Sequence, residues 1–131
     1  MFVDASAIVA VLADEPERRV FAARLGEASN VITSPLALYE ATLGLRRVLG
    51  CSTSEATDHV RAFLIRAQAT VIKIDSGIGF IAIDAFERFG KGRHRASLNM
   101  GDCFSYACAK THGMPLLFKG DDFIHTDVQI A

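Results

Sequence analysis

The 131-residue sequence lacks a charge excess of either sign: 14 Lys and Arg stand against 15 Asp and Glu, for a formal net charge of -1. That balance excludes a protein held to nucleic acid by bulk charge, although a total says nothing about where the charges sit. A cysteine framework is missing as well. Cys51, Cys103 and Cys108 are an odd three with no C-x-x-C pair and no His/Cys spacing suited to zinc, and they read as free thiols of a reducing cytosol. No apolar run approaches the roughly 20 residues that a membrane span needs; the longest, Ala5–Ala13, is broken by Ser6. Met1 leads straight into a strand with no basic segment or signal core before it, so a cytoplasmic protein without membrane attachment is expected. Repeats, low-complexity tracts, linkers and phosphate-binding glycine loops of Walker or Rossmann spacing are absent too.

What remains is a globular composition, 50% apolar and 22% charged. One domain spanning residues 1–131 is expected, since a chain of this length buries roughly two-thirds of its unfolded surface. Short apolar runs alternate with helical segments. Met1–Val3 reads as a buried strand, followed by an apolar helix over Ala5–Ala13. Pro16 and Glu17 mark the start of a second helix, which runs to about Leu25. Val31–Thr33 is a second strand, and Ser34 with Pro35 opens a helix to about Leu49. Ser52 and Glu55 form a capping box for a helix whose apolar stripe is Ala56, Val60, Phe63, Leu64 and Ala67. Val71–Ile74 is a third strand, Ser76 caps a helix to about Phe89, Gly90–Leu98 reads as a mobile loop, and Asn99 caps a helix to about His112. Leu116–Phe118 is a fourth strand, and Val128–Ile130 a candidate fifth at the edge. Short all-apolar strands separated by helices predict an α/β fold, with a short central parallel sheet of four to five strands flanked by helices. Ligands of such sheets sit beyond the carboxyl ends of the strands, so the polar residues just after each strand matter most.

Acids fall at those places. Asp4 ends the first strand, and Asp121 and Asp122 follow the fourth by a short turn. Asp102 lies in the first turn of the Asn99-capped helix, and Glu40 interrupts a stripe that includes Leu36, Leu43 and Gly44. Each has an ordinary structural explanation. Asp4 or Ser6 suits an N-cap, Asp102 suits the capping partner of Asn99, Asp121 and Asp122 suit turn residues after Gly120, and Glu40 suits a side chain reaching solvent. Jointly they resist that explanation, because no Lys or Arg lies within three residues of Asp4, Glu40 or Asp102. Carboxylates gathered without cations repel one another, and proteins keep them together mainly to hold a hard divalent cation.

Four segments carry a family resemblance over essentially the whole chain: Met1–Ala7, Tyr39–Glu40, Leu98–Ala107 and Leu116–Phe123. The most specific are Gly-Asp-Cys-Phe-Ser-Tyr from Gly101 and Gly-Asp-Asp-Phe from Gly120, in that order and at that spacing. The sequence resembles the PIN-domain ribonucleases, and within them the VapC-like toxins of bacterial toxin–antitoxin pairs. The resemblance implies a PIN-like three-layer fold and an acidic quartet of Asp4, Glu40, Asp102 and Asp122, with Asp4 and Asp102 as direct metal ligands. It implies a supporting hydroxyl at Ser6 and ranks Asp121 below its neighbour Asp122. It further implies Mg²⁺, or alternatively Mn²⁺, an RNA substrate, a cognate VapB-like antitoxin and a homodimer. The apolar faces of Leu36–Leu49 and Ala56–Ala67 are candidates for the protein contacts.

The implied activity is metal-dependent endoribonuclease. Mg²⁺ held by one or two carboxylates keeps waters and open positions for a phosphate, while Glu40 and Asp122 position the attacking water or a second ion. Between Arg88 and Gly101 stand Arg88, Lys91, Arg93, His94 and Arg95 with no acid among them. Lys91, Arg93 and Arg95 accordingly read as an RNA-phosphate contact leading to Asp102, against the plainer reading of a solvated loop. Cys103 and Cys108 read as small core residues. Two other readings stay open: a PIN-fold module that binds RNA or protein without cutting, and another Mg-dependent α/β phosphohydrolase. Against a phosphatase with Asp4 as nucleophile, Asp4-Ala5-Ser6 lacks the second Asp, two residues on, of the haloacid dehalogenase-like enzymes. DNA also suits the metal chemistry, which does not itself require a 2′-hydroxyl.

Overall fold

Phe2 and Val3 are fully buried and pair with strands on both sides, which makes the first strand, β1 (Phe2–Val3), the middle of a sheet. The computed structural model describes residues 1–131 and orders the remaining elements as α1 (Ala5–Leu12), α2 (Arg18–Glu27), β2 (Ile32–Thr33), α3 (Pro35–Leu49), α4 (Thr53–Arg66), β3 (Thr70–Val71), α5 (Ser76–Phe89), α6 (Met100–Thr111) and β4 (Leu116–Leu117), with a short 3-10 turn at Phe123–His125. The sheet runs β3-β2-β1-β4, and every pairing is parallel. Burial explains composition strand by strand. Phe2–Val3 and Leu116–Leu117 are covered on both faces and wholly apolar, whereas the edge strand Thr70–Val71 is exposed.

The chain winds outward from β1 to β2 to β3, then returns to set β4 on the other side of β1. That reversal makes a topological switch point between β1 and β4, and the crevice beyond their carboxyl ends is the ligand position of such sheets. Asp4 enters it directly, its N–H donating to the Leu117 carbonyl at 2.9 Å. Helix α1 packs against α2, α3 and α4; α5 packs against α6, and α6 in turn lies against β1 and β4 and touches α3. Two alanines allow the close packing of α3: Ala37 and Ala41 are buried with Leu45, while Tyr39, Leu43, Val48 and Leu49 are exposed. Ser34 starts α3 by accepting the Ala37 N–H, and Gly50 ends it at φ 64°, a left-handed conformation that glycine adopts without a Cβ penalty. No helix is long and apolar enough to cross a membrane.

The architecture matches the expected flanked parallel sheet, but several boundaries differ. The third strand is Thr70–Val71 instead of Val71–Ile74, because the ladder already engages the Thr70 N–H, which donates to the Val31 carbonyl at 2.9 Å. Helix α5 is capped by Asp75, which accepts the Ile78 N–H at 3.0 Å, and not by Ser76. Helix α2 begins at Arg18, with Glu17 outside it and making no side-chain cap. Val128–Ile130 does not form a fifth strand; Ile130 makes a single bridge to Leu116. Gly90–Leu98 is a pinned turn and not a mobile loop. Gly90 bridges Leu98, Lys91 and Leu98 close backbone hydrogen bonds across it, and Ala96 and Leu98 are fully buried.

Candidate active site

The side chain of Asp4 is both cap and site. It follows β1, caps α1 by accepting the Ser6 N–H on Oδ2 at 2.9 Å, and also accepts the Ser6 hydroxyl on Oδ2 at 2.5 Å. Ser6 Oγ in turn accepts the Lys119 N–H at 3.0 Å, tying the loop after β4 to the same point. On the other oxygen, Oδ1, Asp4 accepts the hydroxyl of Ser105 at 2.6 Å. Asp4 is only 4% exposed, and these neutral donors offset the cost of burying a carboxylate.

Asp102 also serves twice. Asn99 Oδ1 accepts the Asp102 N–H at 3.0 Å, and Asp102 Oδ2 accepts the Asn99 N–H at 2.9 Å, completing a capping box at the start of α6. Its second oxygen makes no hydrogen bond within the chain. The capping explanation therefore accounts for one carboxylate oxygen and leaves the other available. Burial, reinforced by the charges of Asp4 and Asp122 and opposed by the Asn99 N–H, pushes the Asp102 pKa up to about 6.

Glu40 comes from the middle of α3 and reaches α6 because residue 101 is glycine. A Cβ at Gly101 would overlap Cδ, Oε1 and Oε2 of Glu40, so the acid occupies the space of an absent side chain. Glu40 is half-buried with no cation beside it; burial first, then the charges of Asp4 and Asp102, push its pKa up to about 7. The structure thus brings Asp4, Glu40 and Asp102 within electrostatic range of one another, and Asp122 within range of Asp102. Asp122 is placed by its neighbour Phe123, whose ring packs on Phe118 with centroids 4.9 Å apart. Gly120, at φ 105°, supplies the sharp turn that brings this loop round. Asp121 is exposed and perturbs neither Glu40 nor Asp102, whereas Asp122 does bear on Asp102. The nearby cation is engaged elsewhere: Lys119 Nζ lies 2.7 Å from Glu15 and 3.3 Å from Glu17.

No group of three His, Cys, Asp or Glu side chains stands ready at metal-ligating distances. Mg²⁺ needs no such cage, since it keeps several waters and takes one or two carboxylates. Asp4 and Asp102 each retain an oxygen with an unused lone pair, and Glu40 accepts no hydrogen bond from the chain. This donor set, hard oxygens crowded without a countercharge, fits a hard divalent cation. The thiols do not compete as nucleophiles: burial pushes Cys103 and Cys108 up to about 11, and both lie in the core. Sequence reasoning missed Ser105 and the reason for Gly101. The signals for Ser105 were its place in the Gly-Asp-Cys-Phe-Ser-Tyr segment and its position three residues after Asp102, on the same helix face.

The cations of the Gly90–Leu98 turn are not equivalent. Arg93 bridges to Glu87 at 2.8 Å and lies over the Phe86 ring, whereas Lys91 and Arg95 are exposed and make no ion pair. Arg88 turns away to Asp127 at 3.0 Å, beside the Tyr106 hydroxyl. Two cavities lie apart from the acids. One of about 610 Å³ opens between α1, α2 and α4, lined by Val11, Leu25, Phe63, His59 and Arg66 among others. The other, an apolar groove of about 500 Å³ on α5 and α6, exposes Phe80, Ile83, Phe86 and Met100.

Comparison with known proteins gives a consistent picture. The family model described as the PIN domain matches residues 1–129. A VapC ribonuclease of Rhizobium meliloti is 40% identical over 139 residues, spanning 97% of this chain and 98% of that protein. Ribonuclease VapC30 of Mycobacterium tuberculosis is 42% identical over 129 residues, spanning 98% and 95%. Ribonuclease VapC of Mycolicibacterium smegmatis is 39% identical over 128 residues, spanning 98% and 97%. Among solved structures, VapC20 of Mycobacterium tuberculosis, described as a sarcin–ricin loop cleaving toxin, superposes with a TM-score of 0.79 at 19% identity, over 99% of this chain and 97% of that one. A toxin–antitoxin complex from Klebsiella pneumoniae gives 0.72 at 14% identity, over 99% and 95%. At those identities the two structures speak to the fold alone.

Proposed function

Because this chain belongs to the PIN-domain family, and its relatives over nearly its full length are VapC ribonucleases, we propose that it is the endoribonuclease toxin of a toxin–antitoxin pair. One observation carries the assignment of the site: Asp4, Glu40 and Asp102 are held in mutual repulsion at the switch point by hydroxyls and by the gap at Gly101. Folding would not retain that arrangement for stability.

In this reading Asp4 and Asp102 would hold Mg²⁺ or Mn²⁺. When bound, the cation supplies Lewis-acid stabilisation of phosphate charge and a more acidic water. The remaining work falls to the chain. Ser6 and Ser105 keep the Asp4 carboxylate in place. Glu40, with a pKa near neutrality in the metal-free state, is suited to orient the attacking water and take up its proton. Asp122, on its Phe123 anchor, closes the acidic ring from the opposite loop. Lys91 and Arg95, unpaired and exposed, are the cations best free to meet RNA phosphates, whereas Arg93 must first release Glu87.

A cognate antitoxin and a homodimer complete the proposal. The antitoxin belongs with the VapC family reading, which rests on relatives 40% and 42% identical over nearly the whole chain. For either contact, the structure sorts the faces of α3 and α4: Tyr39, Leu43, Val48 and Ile65 are accessible, while Ala37, Ala41, Leu45, Val60 and Phe63 belong to the core. The test is cleavage of RNA by the purified chain with Mg²⁺, with EDTA, and in an Asp4→Asn variant that keeps its circular dichroism spectrum. Cleavage that EDTA and the substitution both abolish is expected. A folded variant with undiminished activity, or cleavage indifferent to EDTA, refutes the assignment.

A further inference from the structure

We propose that Ser105 is a positioning residue of the cation site, fixing the Asp4 carboxylate so that a single lone pair, on Oδ1, is left for a hard cation. The inference rests on the metal reading above and extends it to a residue outside the acidic quartet. Ser105 lies within α6 and is 2% exposed. A serine inside a helix commonly turns its hydroxyl back to the carbonyl one turn earlier. Ser105 instead donates to Asp4 Oδ1 at 2.6 Å, across 101 residues of sequence. A hydroxyl has one hydrogen to give, so this contact replaces the local one.

Counting lone pairs shows what the contact achieves. An ionised carboxylate offers about four acceptor positions, two on each oxygen. The Ser6 N–H and hydroxyl take both positions on Oδ2. Ser105 takes one of the two on Oδ1. Ser6 alone would hold one oxygen and leave the carboxylate plane free to turn about it. Ser105 resists that turn. It also stands three residues after Asp102, so one helix carries both the second proposed ligand and the group that aims the first.

Binding of Mn²⁺ to the full chain, followed by isothermal titration calorimetry without RNA, tests this apart from turnover. Hydrogen-bond partners of metal ligands typically contribute roughly 10- to 100-fold in affinity. Ser105→Ala, and Ser105→Cys, which keeps the volume with a weak donor, are expected to weaken Mn²⁺ binding by that order, with Ser105→Thr within about threefold of the parent chain. Thermal unfolding of each variant establishes that it is folded; should Ser105→Ala not fold, Ser105→Cys decides. A folded Ala or Cys variant that binds Mn²⁺ within about twofold of the parent overturns the inference while leaving the metal reading intact. A parent chain that binds no Mn²⁺ overturns both.

Discussion

Replacing Gly101 with alanine is expected to stabilise the fold and remove most of its activity. Gly101 lies in the first turn of α6, and its φ is not among the positive values found at Gly50, Gly92, Gly113 and Gly120, so alanine can adopt its backbone. Alanine in place of helical glycine is favourable by up to about 1 kcal/mol. The atoms nearest the new Cβ would be those of the Glu40 carboxylate, the far end of a flexible side chain. Glu40 therefore swings aside, which also relieves its repulsion from Asp4 and Asp102. A gain of about 1 kcal/mol corresponds to a rise of roughly 4 °C in melting temperature for a chain of this size. A catalytic group displaced by an ångström or more costs on the order of 10²-fold in rate. Thermal unfolding followed by circular dichroism and Mg²⁺-dependent RNA cleavage measure the two effects. In a Glu40→Ala background the same substitution should keep its stabilising effect and cost no further activity, since the group it displaces is gone. Wild-type activity in Gly101→Ala, or an equal loss of rate with and without Glu40, would refute the reasoning.

The pH dependence of stability follows from the same acids. Glu40 and Asp102 hold their protons more tightly folded than unfolded, with pKa values of about 7 and about 6 against ordinary values of 4.5 and 3.8. Their contribution is therefore most favourable at low pH and is lost as pH rises from the unfolded values toward 6 and 7. The melting temperature of metal-free protein should fall across that window, less steeply in Glu40→Gln; equal slopes in the two proteins contradict this. Away from the acids, the buried Tyr106 hydroxyl donates to Asp127 at 2.5 Å, and Arg88 grips the same carboxylate, fastening the C-terminal segment to α5 and α6. Tyr106→Phe should lower stability in urea by about 1 kcal/mol, below the roughly 1.5–3 kcal/mol of a buried hydrogen bond to a charged group because Asp127 is half in solvent; an unchanged midpoint counts against this fastening. For RNA binding, Lys91→Ala with Arg95→Ala should flatten the plot of log affinity against log salt by about 1.4 for a single strand. Arg93→Ala should flatten it less, and an unchanged slope in the double variant removes this turn from the interface.

Local chemistry explains which features could be read from sequence. The Ser52–Glu55 and Asn99–Asp102 capping boxes close within three residues, and both were legible. The all-apolar β1 and β4 announce burial on both faces, which led to the acids that follow them. Asp75 and Ser76 are adjacent cap candidates, and only the accepted Ile78 N–H decides between them. Strand β3 lies at the exposed edge, where no burial pattern marks its start. The turn before α6 looked mobile because its charges are conspicuous, while its anchors are the isolated Ala96 and Leu98. Gly101 and Ser105 stood in plain view inside a recognised motif, yet their roles depend on α3 and β1 approaching α6, which no spacing along one helix displays. The alternative explanations of Asp4 and Asp102, cap or site, prove compatible, since separate oxygens serve each purpose.

The most direct test of the acidic cation site is anomalous diffraction from crystals of the chain grown or soaked with Mn²⁺. An ion bound by Asp4 Oδ1 and by the oxygen of Asp102 that the Asn99 cap leaves free is expected, and it should be lost in Asp4→Asn. An ion bound elsewhere with the acid cluster empty, or an ion at the cluster that persists unchanged in Asp4→Asn, would contradict it.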